Sequence, residues 1–218
     1  MAELIRGIRP EVVQGNLERI RHEIDQAGRD PARVQILAAV KYVACEELEV
    51  LAQAGVSLLG ENRAQELVAK AEAYPGRFTW DFIGHLQSRK VRSLLPYARY
   101  LQTVASDSAL AQLARHAEPD TEVLVEVNVA GEAGKSGIVP AELPGFIARC
   151  PVRIIGLMTM PPLAARAEDS RPYFAALREL AARNGLRELS MGTSQDYLVG
   201  VQEGATIVRL GTKLYSAS

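Results

Sequence analysis

Short apolar runs alternate with helical patterns along most of the chain. Eight runs have the length and composition of strands: VQILAAVK, VSLLGEN, FTWDFIGH, RYLQTVAS, EVLVEVNV, RIIGLMTM, RELSMGTS and ATIVRLGT. Nearly every run is followed by a segment with apolar residues three or four positions apart, such as CEELEVLAQAG after the first. Strands joined by helical crossovers predict a parallel sheet, and eight of them predict a closed (β/α)8 barrel of the TIM type. An open doubly wound sheet is the competing arrangement.

An additional helix is predicted before the first strand. In EVVQGNLERIRHEIDQAGRD, Leu17, Ile20 and Ile24 recur at three-to-four spacing with charged residues between them, and the pattern stops at Gly28 and Pro31. This is the pattern of an amphipathic helix. A second distinctive segment, GEAGKSGIVPAEL, is rich in turn-forming residues and predicts a long loop above the barrel.

Composition and charge are those of an ordinary globular chain. The 218 residues are 48% apolar and 23% charged, and the formal net charge is −1 with acidic and basic residues intermixed. This length suits one barrel, so residues 1–218 are predicted to form a single domain. No basic face indicates binding to nucleic acid or to an anionic membrane, and a small molecule is the expected partner.

The sequence also predicts a cytoplasmic location. No apolar stretch approaches the roughly 18 to 20 residues of a membrane span, and MAELIRGIRP does not have the pattern of a signal peptide. Cys45 and Cys150 lie far apart and lack the spacing of metal ligands. They are therefore predicted to be reduced, partly buried thiols.

Residues able to bind a ligand stand where the predicted strands end, and a barrel of this type keeps its chemistry at that end. They are Lys41, Glu61, Asn62, His85, Asn128, Met158, Thr159, Ser194, Arg209, Gly211 and Thr212. The sequence predicts that these residues line a shared pocket. The alternative is that they are ordinary loop residues, since loops are polar in any protein.

Lys41 closes the apolar run ILAAVK. Partial removal from water at the barrel mouth favours a neutral amine, which is a nucleophile toward carbonyl carbons and forms Schiff bases with them. The structural alternative is that Lys41 extends to solvent or pairs with Glu46 or Glu61. Tyr42 follows directly, and strand alternation predicts that its side chain points away from that of Lys41.

Two turns near the C-terminus predict a phosphate site. SMGTSQD places Gly192, Thr193 and Ser194 between a strand and a helix, and VRLGTKL places Gly211 and Thr212 after the last strand. Backbone N–H groups, hydroxyls and helix N-termini bind phosphate, and the loops after strands seven and eight of a barrel are a recurrent phosphate site. Together with the lysine, they indicate pyridoxal 5′-phosphate (PLP), a phosphorylated aldehyde. Another phosphorylated metabolite, with the lysine purely structural, is an alternative.

Seven segments carry a family resemblance, and they are LAAVKY, GENRAQEL, WDFIGHLQSRK, VNVAGEAGKSGI, GLMTM, LSMGTSQD and GATIVRLGTKLYS. In this order, along essentially the whole chain, they resemble the pyridoxal phosphate homeostasis proteins (the YggS/PROSC-like family). The resemblance implies a barrel of the alanine-racemase N-terminal-domain type. It also implies that Lys41 forms the Schiff base, that Ser194, Gly211 and Thr212 contact the phosphate, and that Arg209 lies toward the pyridine nitrogen.

Three further residues are candidates through the same resemblance. Asn62 and Met158 are implied to line the cofactor. His85 falls within the FIGHLQ element, and two interpretations are open for it: contact with the cofactor, or a structural hydrogen bond.

Three positions depart from the usual pattern of the family. Asp81 stands where histidine is common, Thr193 where methionine is usual, and Arg89 where asparagine is more frequent. None of them removes a candidate PLP ligand. Asp81 and Arg89 are expected on the rim, where they would alter what the rim recognises.

The resemblance favours a carrier over an enzyme. An arginine beside the pyridine nitrogen keeps that nitrogen unprotonated and weakens the ring as an electron sink. Two-domain racemases of this fold take a second acid or base, a tyrosine, from a separate domain of a partner subunit, and a sequence ending at Ser218 is expected to lack that domain. We therefore expect a monomeric PLP-binding protein that buffers the cofactor or delivers it to apoenzymes without turnover. A weak amino-acid racemase or lyase with Lys41 as base is the alternative.

Overall fold

The computed structural model describes residues 4–163 and 165–216. Its eight strands are β1 (Gln35–Ala39), β2 (Leu58–Glu61), β3 (Thr79–Phe82), β4 (Ala98–Val104), β5 (Glu122–Glu126), β6 (Arg153–Met158), β7 (Glu188–Thr193) and β8 (Ile207–Leu210). All neighbours are parallel, and they close into a barrel in chain order because β8 pairs with β1. The (β/α)8 prediction is confirmed, and the open sheet is excluded.

Helices cover the outside of the barrel between the strands. They are α1 (Pro10–Gln26), α2 (Leu48–Gln53), α3 (Ala64–Ala73), α4 (Val91–Leu94), α5 (Asp107–His116), α6 (Leu143–Arg149), α7 (Arg171–Arg183), α8 (Tyr197–Gln202) and α9 (Thr212–Tyr215). Their apolar faces join the outward faces of the strands in one continuous core. In the described part of the chain, none of these helices combines the length and apolar character needed to cross a membrane.

The predicted N-terminal helix exists and completes the outer layer. α9 has only four residues, and α1 packs against it, with α2 and α8 also in contact. The spacing of Val13, Leu17, Ile20 and Ile24 puts all four on the buried face. The side-chain amide of Asn16 donates to the backbone oxygens of both Leu214 and Ser216 at 3.0 Å, which ties the two chain ends together.

The predicted long loop also lies above the barrel. After β5 the chain leaves the sheet and returns at Ile138, which forms a parallel bridge with Val127. Between these points Asn128 stabilises the loop, since its amide donates to the backbone oxygen of Glu132 at 2.9 Å and accepts from the backbone N–H of Glu132 at 3.2 Å. Ser136 of this loop reaches the barrel mouth.

Candidate functional site

A cavity of about 580 Å³ opens at the carboxyl ends of the strands. Its volume is within the range typical of small-molecule sites. All eight residues that the sequence assigned to the cofactor line it, and they are Lys41, Asn62, His85, Met158, Ser194, Arg209, Gly211 and Thr212. The fold therefore places residues from six different strand ends around one space.

Three other strand-end candidates do not line this cavity. The carboxylate of Glu61 is fully buried beside Lys70, and Asn128 holds the loop after β5. The hydroxyl of Thr159 donates to the backbone oxygen of Val127 at 2.8 Å. For these three residues the shared-pocket prediction was wrong, because each side chain satisfies a local polar group instead.

Lys41 stands in a turn two residues after β1 ends. Its side chain is partly exposed, and its amine lies 4.9 Å from the centroid of the Tyr42 ring. Within residues 4–163 and 165–216, Lys41 makes no ion pair, since Glu46 pairs with Arg6 and Glu61 pairs with Lys70. The two ion pairs that the structural alternative offered for Lys41 are therefore not formed, and the amine remains available at the cavity wall.

Tyr42 lines the same cavity as Lys41, contrary to the alternation argument. The argument fails because β1 ends at Ala39, so residues 41 and 42 are in a turn rather than in extended strand. The exposed Tyr42 ring therefore lies under the Lys41 amine, in a cation–π contact.

A buried ion pair holds the backbone that leads into Lys41. The Lys70 amine donates to the Glu61 carboxylate at 2.7 Å and to the backbone oxygen of Val40 at 2.8 Å. The second oxygen of that carboxylate accepts from the backbone N–H groups of Asn62 and Arg63. One charge pair thus fixes the ends of both β1 and β2, and with them two residues of the cavity wall.

Asn62 lines the cavity and carries a hydrogen-bond acceptor without a partner. Its side-chain oxygen Oδ1 is buried and has no hydrogen-bond partner among the described residues. The segment after β3 approaches Asn62 closely because Gly84 lacks a side chain. A Cβ at Gly84 would lie 2.0 Å from the backbone oxygen of Asn62. A buried acceptor without a partner is costly, and a ligand donor would satisfy it.

The Gly/Ser/Thr turns after β7 and β8 meet at one side of the cavity. The Ser194 hydroxyl accepts a hydrogen bond from the backbone N–H of Gly211 at 3.2 Å. Asp196 orders the first turn, since its carboxylate accepts from the backbone N–H of Thr193 at 2.7 Å. The helices that follow have only six and four residues, so an anion here would depend on local hydroxyl and N–H donors more than on a helix dipole.

Arg209 is a cation buried at the base of the cavity. Its Nη1 donates to the backbone oxygen and to the hydroxyl of Ser190 at 2.7 and 2.6 Å. Its Nη2 donates to the backbone oxygen of Thr159 at 2.8 Å and to the sulfur of Met160 at 2.9 Å. Complete burial lowers the pKa of Arg209 to about 10, which leaves the guanidinium charged at neutral pH.

Glu126 at the end of β5 was not assigned a role from the sequence, yet it lines the cavity. Burial raises the pKa of its carboxyl to about 7, and the positive charge of Arg209 opposes the rise. The signal was present in EVLVEVNV, where a carboxylate ends an apolar stretch two positions after Leu124, on the same face of the strand.

The raised pKa predicts a pH-dependent stability for the protein without ligand. Between pH 4.5 and 7 the folded state holds a proton on Glu126 that the unfolded state has released, so stability falls as pH rises through this window. The Glu126→Gln variant should lack this loss and be more stable than wild type above pH 7, by up to about 3 kcal/mol. Urea unfolding of both proteins across this window measures the difference. A constant difference at all pH values would contradict the assignment.

His85 is exposed at the cavity edge, and its Nδ1 lies 3.0 Å from the hydroxyl of Ser136. This contact joins the end of β3 to the loop above the barrel. A structural hydrogen bond is therefore part of the role of His85, while its position in the wall keeps it a candidate for ligand contact.

The three departures from the family pattern occupy different environments. Asp81 is fully buried inside the barrel and bonded to Arg99, so its expected place on the rim was wrong. Alternation along β3 directs its side chain into the interior. Arg89 is exposed and donates to Gln87, while Thr193 lines the cavity.

Several further residues of the wall were missed from the sequence. They are Ile5, Ala39, Tyr42, Ile83, Gly84, Thr103, Glu126, Ser136, Met160, Gln195 and Tyr215. Some of them, such as Ser136 and Met160, reach the cavity through loops whose paths a strand pattern does not define.

Comparison with known proteins identifies the family. The family model described as "Alanine racemase, N-terminal domain" matches residues 15–218. A pyridoxal phosphate homeostasis protein from Aquifex aeolicus is 38% identical over 213 residues, covering 91% of this chain and 93% of its own. The protein of the same name from Pseudomonas aeruginosa is 40% identical over 212 residues, covering 91% of both.

A solved structure agrees with these matches. PipY from Synechococcus elongatus, determined with PLP bound, superimposes with a TM-score of 0.78 at 30% identity, covering 94% of this chain and all of that one. The resemblance seen in the seven sequence segments is thereby confirmed. The chain belongs to the family of pyridoxal phosphate homeostasis proteins, within the alanine racemase N-terminal-domain fold.

Proposed function

We propose that this protein binds PLP in the cavity at the carboxyl end of the barrel and takes part in PLP homeostasis. The observation that carries the proposal is the match between four features of PLP and four features of the wall. The Lys41 amine suits the aldehyde, and the unpaired Oδ1 of Asn62 suits the ring hydroxyl. Arg209 suits the ring nitrogen, and the turns around Ser194 and Gly211 suit the phosphate.

The names of the relatives support the same proposal. Proteins 38% and 40% identical to this chain are pyridoxal phosphate homeostasis proteins, and PipY is a relative with PLP bound. When bound, PLP supplies an aldehyde carbon that condenses with a primary amine and releases water. In this proposal Met158 and His85 would line the bound cofactor, and Thr212 would help to hold its phosphate.

Buffering or delivery of PLP without turnover is the role we favour. A buried arginine toward the ring nitrogen keeps that nitrogen unprotonated, which disfavours carbanion chemistry. Lys41 and His85 are open to solvent at the cavity edge, and an accessible cofactor is suited to transfer. In this proposal the chain acts as one monomeric domain whose partners are PLP-dependent apoenzymes. Both cysteines are free thiols, which supports a reducing, cytoplasmic setting.

Borohydride trapping tests the binding site. The protein is loaded with PLP, reduced, digested and analysed by mass spectrometry, and the phosphopyridoxyl group is expected on Lys41. The chain contains four other lysines, Lys70, Lys90, Lys135 and Lys213, which serve as internal controls. A label spread evenly over the exposed lysines, or none at Lys41, would reject the proposed site.

Transfer to an apoenzyme tests the role. The loaded protein, freed of excess PLP, is mixed with an apo-form PLP-dependent enzyme, and recovery of that enzyme's activity is followed. Recovery is expected, and it should be slower when the PLP has first been fixed by borohydride. Equal rates before and after reduction would mean that the PLP held on the lysine is not what reaches the apoenzyme.

Glu126 keeps one alternative function open to test. A buried carboxyl in the cavity wall could act as a second acid or base beside Lys41, which is what a weak racemase or lyase requires. Loss of α-deuterium from labelled amino acids measures this activity. Exchange well above that of free PLP, abolished in both Lys41→Ala and Glu126→Gln, would favour the enzyme over the carrier.

A further inference from the structure

A continuous chain of hydrogen bonds runs through the barrel interior from the cofactor cavity toward the opposite end. Arg209 donates to the Ser190 hydroxyl at 2.6 Å, and that hydroxyl donates to Oε1 of Gln102 at 2.6 Å. Nε2 of Gln102 donates to Asp81 at 2.7 Å, and Arg99 donates to both oxygens of Asp81 at 2.9 and 2.7 Å. Ser190, Gln102 and Asp81 are fully buried.

The two ends of this chain lie in different environments. Arg209 lines the cofactor cavity, whereas Arg99 lines a second cavity formed by the first residues of β1, β2 and β3 at the amino end of the barrel. Nη1 of Arg99 donates there to the side chain of Gln35 at 2.7 Å. The hydrogen bonds therefore span the interior, in a layer where barrels usually hold branched apolar side chains.

An irregularity in β4 makes the chain possible. Trp80 lies opposite Ala98, but the next residue, Asp81, lies opposite Tyr100, so β4 contains an extra residue at this point. Because of it, Arg99 and Gln102 can both reach Asp81 although they are three positions apart.

The direction of every hydrogen bond in the chain is determined. An arginine only donates, so the Ser190 oxygen accepts from Arg209 and its hydrogen is left to point at Gln102. Oε1 of Gln102 accepts that hydrogen, and its amide group then donates to Asp81. A carboxylate only accepts, and burial, which raises the pKa of Asp81, is opposed by the two hydrogen bonds from Arg99.

We propose that Asp81, Gln102 and Ser190 are positioning residues that orient Arg209 toward bound PLP, an inference that rests on the proposed function. Four of the five N–H donors of Arg209 are used, two of them on Ser190, and Nε–H is the one to which the described residues offer no acceptor. The hydrogen bond to Gln102 keeps the Ser190 hydrogen turned away from the guanidinium. Without the hydrogen-bond chain, the hydroxyl can rotate, its hydrogen repels the Arg209 guanidinium, and the guanidinium is displaced.

The Asp81→Asn variant tests this inference. The amide has the shape of the carboxylate but replaces one acceptor oxygen with an N–H₂ group, which then faces a donor of Arg99 or Gln102, so the order of donors and acceptors is disturbed. A displaced Arg209 no longer keeps the ring nitrogen of PLP unprotonated. We expect the pH at which the visible spectrum of bound PLP changes to shift, and the dissociation constant for PLP to rise by about tenfold.

A second variant and a control separate positioning from loss of stability. Ser190→Ala removes the middle hydroxyl with little change of shape, and it decides the question if Asp81→Asn does not fold. Leu113→Ala opens a cavity under α5, at a residue that takes no part in the hydrogen-bond chain. It should destabilise the protein without moving the spectral titration. A shift in Asp81→Asn or Ser190→Ala that is absent in Leu113→Ala supports the inference.

Two negative outcomes have different meanings. If wild type binds PLP and both Asp81→Asn and Ser190→Ala titrate like Leu113→Ala, the positioning role is wrong while the proposed function stands. If wild-type protein shows no PLP label at Lys41, the proposed function itself fails, and the inference falls with it.

Discussion

Replacing Lys41 with alanine should abolish the visible absorbance band of the PLP-loaded protein and weaken PLP retention by on the order of a hundredfold or more, about 2.8 kcal/mol. In the proposed site the Lys41 amine is the group that bonds covalently to the aldehyde, and its position in the cavity wall suits that role. The band is recorded by absorbance, and retention is measured by dialysis against buffer.

The same substitution should leave the stability of the PLP-free protein nearly unchanged. Lys41 is partly exposed, and its amine contacts the Tyr42 ring without an ion pair in the described part of the chain. Substitutions at such positions usually change the free energy of unfolding by no more than about 0.5 kcal/mol. A large fall in stability would mean that Lys41 is structural, which was the alternative from the sequence.

Two controls separate the covalent bond from the positive charge. Lys41→Arg keeps the cation but cannot condense with the aldehyde, so it should also lose the band while retaining some PLP through the other contacts. Lys90→Ala removes a lysine that is outside the proposed cavity wall and should retain both band and affinity. A band that persists in Lys41→Ala would place the cofactor on another amine.

The sequence predicted the barrel because eight apolar runs with helical segments between them leave few other arrangements. It also predicted the end of the barrel at which the cavity opens, since ligand-binding residues cluster where barrel strands finish. The sequence did not predict contacts such as that between His85 and Ser136, because these residues are 51 positions apart and Ser136 lies in a loop with no periodic pattern. The location of the cavity thus followed from period and position, and the eight expected residues were selected by the family resemblance, but the hydrogen bonds that fix them followed from neither.

The errors have a common physical origin in local departures from strand geometry. Alternation misplaced Tyr42 because β1 stops at Ala39 and a turn follows. Alternation also did not predict that Arg99 and Gln102 both contact Asp81. Their contact depends on the extra residue in β4, which is defined only by the pairing of β4 with β3. Polar side chains within apolar strands can therefore be recognised from the sequence. Their hydrogen-bond partners cannot, because they depend on β-bulges, which appear only when two strands are paired.

Lys70→Met should be the most destabilising single change among those considered, costing about 3–5 kcal/mol of unfolding free energy. The side chains of Lys70 and Glu61 are 4% and 0% exposed, so the variant would leave a carboxylate buried without its cation and the Val40 backbone oxygen without its donor. For a chain of this size the melting temperature should fall by roughly 6–20 °C. Urea and thermal unfolding of the PLP-free protein provide the measurement.

The paired variant Glu61→Gln with Lys70→Met should recover part of this loss, because it removes the orphaned charge while one amide oxygen can still accept from the backbone of Asn62 and Arg63. By contrast, Arg77→Ala breaks only a solvent-exposed pair with Glu49 and should have no measurable effect. If Lys70→Met were as mild as Arg77→Ala, the pair would not be what holds the ends of β1 and β2. If it is severe, Lys41 and Asn62 owe their places in the wall to a charge pair that does not itself line the cavity.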